Sequence, residues 1–220
     1  MVGCDIDPKA AEGTVELVRG DGGAMASLHP CDLTSPAECR ALAEFAVGTF
    51  GRLDVLFNNA AMGHFNWLED ITDEEWDQDR RGEVDLVFYL TRAAWPHLKA
   101  SQGVVVNMAS LNASLSFKAL PSLAHITAKA GIIGMTRQLA VEGREHGIRA
   151  NSISPGLVET PQTRQQLKDP EWAASMLGKT LLGRLGQPEE IANVALFLGS
   201  DESSYVTGID VIADGGMKAW

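Results

Sequence analysis

The chain has 220 residues and carries 29 acidic against 18 basic side chains, a net charge of −11. That excess of negative charge speaks against a nucleic-acid partner. The length suits one domain with a full hydrophobic core, and no linker or internal repeat divides 1–220. Cys4, Cys31 and Cys39 lack zinc-site spacing and leave an odd thiol in any disulfide scheme, so reduced cysteines, no metal and a cytoplasmic setting are expected. No segment approaches the roughly 18 consecutive apolar residues of a membrane span, so no membrane partner is expected.

In chain order, Met1 to Asp5 reads as the end of a strand, followed by the turn Asp5-Ile-Asp7-Pro8. Gly20, Gly22 and Gly23 precede a predicted strand over Met25 to Cys31. A phosphate-binding turn should precede a helix, so these glycines read as a plain loop. Pro36 to Phe50 reads as a helix, with Ser35 and Glu38 in a capping-box pattern. Leu53 to Asn58 and Val104 to Ala109 are short apolar runs of the kind that form buried parallel strands. Helices are expected over Asp73 to Lys99 and over Ala124 to His146, the second ended by Gly147. Strand alternating with helix argues for an α/β fold with a doubly wound, Rossmann-like parallel sheet. The only composition shift is the segment Glu159 to Leu182.

Within the last long helix, His125 and Lys129 stand four residues apart, on one face and one turn from each other. A cation beside an imidazole suits proton transfer, although the same spacing also occurs on solvated helix faces. Five further segments bear on the choice. Asn58-Asn59-Ala60-Ala61 comes first, then Gly103 to Ser110, then Asn151-Ser-Ile-Ser-Pro155-Gly156. Gly186-Gln-Pro-Glu-Glu-Ile-Ala192 follows, and last Tyr205-Val-Thr-Gly208 with Asp214-Gly-Gly216.

From Asp5 to the C-terminus, these segments in this order resemble the short-chain dehydrogenase/reductase family. The resemblance implies an NAD-dependent oxidoreductase interconverting a secondary alcohol and a ketone by hydride transfer. Ser110 would polarise the carbonyl, and Lys129 would tune the acid/base group and bind ribose. His125 stands where the family has its catalytic tyrosine. The interval from Ser110 to His125 exceeds the family's, which a longer loop over Leu115 to Ser122 absorbs; Ser114 is the second candidate for the serine. Glu83, seven residues after Trp76, stands where the family's Trp-(x)6-Asn pattern has asparagine. Glu83 could pair with Lys129 or His125 and rebuild a proton relay with them, or be a surface charge between Arg80, Arg81 and Asp85.

For the cofactor, the resemblance implies Asp5 on the adenosine ribose, Asp32 and Leu33 beside the adenine, Asn59 along the channel, and Val158 and Thr160 at the nicotinamide. A carboxylate at Asp5 repels a 2′-phosphate and so favours NAD over NADP. Asp5 and Asp32 could equally be turn residues. Residues 157–182 resemble the family's substrate loop. Trp67, Trp76 and Trp95 are expected to pack, and Trp220 to sit at a subunit contact, in a homodimer or homotetramer paired through the two long helices.

One expected part is missing at the front. The family's first strand, glycine-rich turn and helix, roughly 30 to 40 residues on ordinary element lengths, do not appear before Asp5. The chain therefore reads as N-terminally truncated: either Met1 is an internal methionine of a longer protein or the nucleotide site is degraded. The completeness of the later motifs favours the first explanation. Without that strand, the strand at Leu53 to Asn58 either pairs with the first one or stays an open edge. The alternative to a dehydrogenase is a non-redox protein of the same fold, either a binding or scaffold subunit or a cofactor-independent lyase or isomerase.

Overall fold

The computed structural model describes residues 1–219; Trp220, and with it the expected subunit contact, lies outside the described residues. Six parallel strands form: β1 (Val2–Cys4), β2 (Ala26–Leu28), β3 (Val55–Asn58), β4 (Val104–Met108), β5 (Arg149–Pro155) and β6 (Asp210–Ala213). They make two sheets, β1-β2 and β3-β4-β5-β6, all pairs parallel. Of the two pairings open to β3, the edge is the one adopted: among the described residues β3 has no partner on the side away from β4, and Val55 and Phe57 are exposed. The strand expected over Met25 to Cys31 shortens to three residues: Pro30 has no N–H to give a ladder, although Cys31 N–H still donates to Asp5 O.

Helices α1 (Pro8–Gly20), α2 (Pro36–Phe50), α4 (Leu86–Ser101) and α5 (Leu123–Gly143) join the strands, with α3 (Asp73–Arg80) leading into α4 and the short α6 (Pro161–Gln166) and α7 (Pro170–Leu177) following β5. The strands are read by alternation. Val105 and Ala150 face Leu42, Leu90 and Ile132 on the side of α2, α4 and α5. Val104, Val106 and Ile153 face Ile191 and Leu198 of α8 (Pro188–Gly199) on the other side. Both faces of β4 are therefore buried, as its apolar run Val104-Val-Val106 requires.

The capping box at α2 is half made. Ser35 accepts from Glu38 N, but the Glu38 carboxylate accepts from Asp32 N at 2.6 Å. The helix expected over Asp73 to Lys99 is interrupted by one π-helical turn, Arg81–Asp85, which an Arg80–Asp85 ion pair spans. Hydrophobic periodicity does not distinguish such a turn from α-helix, and π turns of this kind occur mostly at functional sites. The helix over α5 ends in a short 3₁₀ turn and then Gly147 at φ 68°, the left-handed conformation that glycine adopts without strain. Of the tryptophans, Trp95 packs against the core while Trp67 and Trp76 are exposed. Trp76 belongs to the polar helix α3, which buries little besides Asp79.

Candidate active site

The C-terminal ends of β3, β4 and β5 open into one cavity of about 540 Å³, the edge at which α/β sheets commonly take ligands. Met108 ends β4, and Ser110 follows it, accepting Asn112 N–H on its hydroxyl at 3.2 Å. The first two turns of α5 supply His125 and Lys129. The π turn before α4 supplies Glu83, and the loop after β3 supplies Asn59 and Phe65. Val158 and Thr160 come from the loop after β5. The Thr160 hydroxyl also caps α6 (Pro161–Gln166), accepting Thr163 N–H.

Beneath the cavity a buried polar ladder fixes these strand ends. Asn58 donates to Thr91 at 3.0 Å and to Asn107 at 2.8 Å, and Asn107 donates to Thr136 at 2.8 Å. It ties β3 and β4 to α4 and α5, the elements that carry the site, while Asn58 Oδ1 is left buried without a partner.

Glu83 is 2% exposed. Its Oε1 lies 2.7 Å from His125 Nδ1 and 3.9 Å from Lys129 Nζ, and its Oε2 is buried with no partner. The surface-charge reading of Glu83 is not what the fold adopts: it turns inward while Arg80 and Asp85 pair with each other. Lys129, also buried, donates to Met108 O at 3.1 Å. Burial pushes the Lys129 ammonium below the ordinary lysine range, and the Glu83 carboxylate opposes that shift.

An ionised carboxylate only accepts hydrogen bonds, so with Glu83 ionised the ring hydrogen stands on Nδ1, and a neutral imidazole in that tautomer carries its lone pair on Nε2. The Phe65 ring packs on the imidazole with centroids 5.2 Å apart. Most of the remaining wall is apolar: Phe117, Leu120, Leu157, Trp172, Met176 and Met217. Among the described residues, Glu83, His125 and Lys129 are the only ionisable groups lining the cavity.

Ser110, Glu83, His125, Lys129, Asn59, Val158 and Thr160 thus come together, while Ser114 is exposed outside the lining. Asp5, Asp32 and Leu33 lie at the ends of β1 and β2, away from this cavity. Asp5 accepts Asp7 N–H at 2.8 Å and Asp32 accepts Thr34 N–H at 2.8 Å, so both carboxylates form turns, while the Leu33 side chain is in the core. Phe65, Phe117 and Asn112 were not expected from sequence. Phe65 and Phe117 sit in loops and Asn112 in a single 3₁₀ turn, none with a periodicity to read, and only the three-dimensional path reveals what they face.

Fold and cavity define an α/β protein of the doubly wound class with a ligand-sized site at the C-terminal ends of its strands, and comparison with known proteins gives the family. The family model described as "Enoyl-(Acyl carrier protein) reductase" matches residues 1–218. The chain is 36% identical over 217 residues to cyclohexanol dehydrogenase of Acinetobacter sp., covering 98% of this chain and 83% of that protein. It is 37% identical over 220 residues to 3-oxoacyl-[acyl-carrier-protein] reductase of Thermotoga maritima, covering 99% and 87%. A solved 7α-hydroxysteroid dehydrogenase, complexed with NADH and 7-oxo glycochenodeoxycholic acid, superposes with a TM-score of 0.91 at 32% identity, covering 98% and 83%. The chain belongs to the short-chain dehydrogenase/reductase family of oxidoreductases, which bind nicotinamide cofactors. Among the described residues no helix is long and apolar enough to cross a membrane.

Proposed function

We propose that this protein is an NAD-dependent oxidoreductase interconverting an apolar, uncharged secondary alcohol and its ketone, with His125 taking the role of the family's tyrosine. The observation that carries the reading is the hydrogen bond from His125 to Glu83 in an apolar cavity beside Lys129. The relatives' names agree in kind, cyclohexanol dehydrogenase above all. Among the described residues the lining carries no arginine, and its one lysine, Lys129, donates to Met108 O beside Glu83, which favours an uncharged substrate.

The residues fit the nicotinamide-ribose half of a dinucleotide. Buried Lys129 and Glu83, whose Oε2 has no partner, line the same cavity as Asn59, Val158 and Thr160. Lys129 would hold the ribose hydroxyls, and Asp5 the adenosine ribose, where its charge disfavours a 2′-phosphate. When bound, the nicotinamide supplies the hydride acceptor or donor.

The chain's own share is proton management. In oxidation, His125 Nε2 takes the hydroxyl proton while the Ser110 hydroxyl holds the same oxygen, and Glu83 stabilises the resulting imidazolium through Nδ1–H. In reduction the imidazolium returns that proton to the carbonyl oxygen. Lys129 serves as the counter-ion of Glu83, so the pair can carry the transient charge. The half-buried segment around Trp172 and Met176 closes the substrate end. Self-association through α4 and α5 would cover Phe88, which is 46% exposed.

Titrating NADH and NADPH separately into the protein, followed by tryptophan fluorescence and nicotinamide emission, tests the reading. Saturable NADH binding tighter than NADPH binding is expected. Absence of NADH binding at millimolar concentration would overturn it.

A further inference from the structure

A second imidazole–carboxylate pair stands next to the first. Asp79 is 1% exposed, and its Oδ1 accepts both the His64 backbone N–H at 2.8 Å and a hydrogen bond from His64 Nδ1 at 2.7 Å. Its Oδ2 is buried without a partner. Burying a carboxylate is costly unless it is bonded, and here both bonds come from one loop residue. Asp79 and Glu83 are four apart on the same helical run, so they point to the same side.

The loop that carries His64 is clamped along this side. Met62 N–H donates to Gly82 O at 3.0 Å, and a Cβ on Gly82 would lie 2.6 Å from Met62 O, so only glycine permits the approach. Gly63 sits against Glu83, where an added Cβ would be 3.2 Å from Oε1. Next come His64 on Asp79 and Phe65 on the His125 ring. Adjacent loop residues thus touch one carboxylate pair, then the other, then the reacting imidazole.

We propose that Asp79 is a positioning residue for the reaction centre: through His64 it fixes the loop Met62 to Phe65 against Glu83 and holds Phe65 on the His125 ring. The proposal rests on His125 being the acid/base group. Asp79 touches neither substrate nor cofactor; it acts through a loop whose register one carboxylate sets. Misplacement of a reacting group by about 1 Å can cost about 100-fold in rate, so the anchor matters to the chemistry and not only to the loop.

The test uses Asp79→Leu, which removes both acceptors, Asp79→Asn, which keeps one in place, and His64→Ala, which removes the imidazole and leaves the backbone N–H on Asp79. Each is made with and without Phe65→Ala, and folding is checked by thermal melting. The cofactor-free readout is the ¹H–¹⁵N signal of the His125 Nδ1–H; the second is kcat against KM in NAD-linked turnover.

Asp79→Leu and His64→Ala should shift the His125 signal and lower kcat about 10- to 100-fold with KM for NAD unchanged. Asp79→Asn should restore most of both, and the effects should vanish in the Phe65→Ala background. An unmoved His125 signal and kcat in folded His64→Ala would overturn the proposal, as would losses that simply multiply with Phe65→Ala. A wild-type protein without NAD-linked turnover would refute the dehydrogenase reading alone, because the resonance still decides the role of Asp79.

Discussion

Glu83 Oε1 and His125 Nδ1, 42 residues apart in sequence, meet at 2.7 Å inside the cavity. The contact exists because the π turn Arg81–Asp85 rotates Glu83 inward while α5 presents His125 on its first turn. Replacing Glu83 with Gln keeps an oxygen near Nδ1 and removes the charge that stabilises imidazolium. We expect turnover to fall about 100-fold, within the usual contribution of an assisted acid/base group. Steady-state rates measured from pH 6 to 9 check it, and turnover equal to wild type across that range would contradict the relay.

His125→Tyr places a phenol beside Lys129. A phenol has a reference pKa of about 10 against about 6.5 for imidazole. NAD-linked oxidation should survive in this variant, with its half-maximal rate reached at higher pH than in wild type. The pH–rate profiles of the two proteins decide it; coincident profiles would remove His125 from the reaction.

The fold was legible because buried parallel strands announce themselves. Val104 to Val106 is apolar on both faces since α4 and α5 cover one and α8 the other. The pairing of His125 with Lys129 was legible for the same kind of reason, a fixed helical period. Asp79 was not. It lies in Asp73-Glu-Glu-Trp-Asp-Gln-Asp-Arg80, a segment polar all round, and nothing local separates the buried Asp79 from the exposed Asp77. The π turn was invisible too, because a one-residue insertion in the hydrogen-bond ladder leaves composition unchanged. Asp5 and Asp32 match motifs yet also make ordinary Asx turns, so sequence could not choose between their roles.

Ile132, fully buried between α5 and the sheet, contributes to the core that holds His125 and Lys129 in line. Ile132→Ala should cost about 2–5 kcal/mol, a fall of several degrees in Tm. By contrast Leu196, 71% exposed, should tolerate alanine within about 0.5 kcal/mol. Urea unfolding of both variants checks the contrast, and equal losses would misplace the core.

The cysteines should be unreactive in the native state. Burial, reinforced by the neighbouring Cys4, pushes the Cys31 thiol up to about 12, and burial beside Cys31 pushes Cys39 up to about 11. Their folded-state values exceed the unfolded ones, so their stabilising contribution is complete below about pH 8.5 and is lost as pH rises through about 11 to 12. Thiol titration with an aromatic disulfide at pH 8 should modify Cys31 and Cys39 far more slowly in native than in denatured protein. Equal rates would contradict their burial.

The most direct test is the rate of NADH formation at 340 nm from NAD and cyclohexanol, compared between wild type and His125→Ala. The account predicts measurable turnover in wild type and a loss of about 100- to 10,000-fold in the variant. Equal rates in the two proteins, or no NADH formed by wild type from this or any of a panel of apolar secondary alcohols, would contradict it.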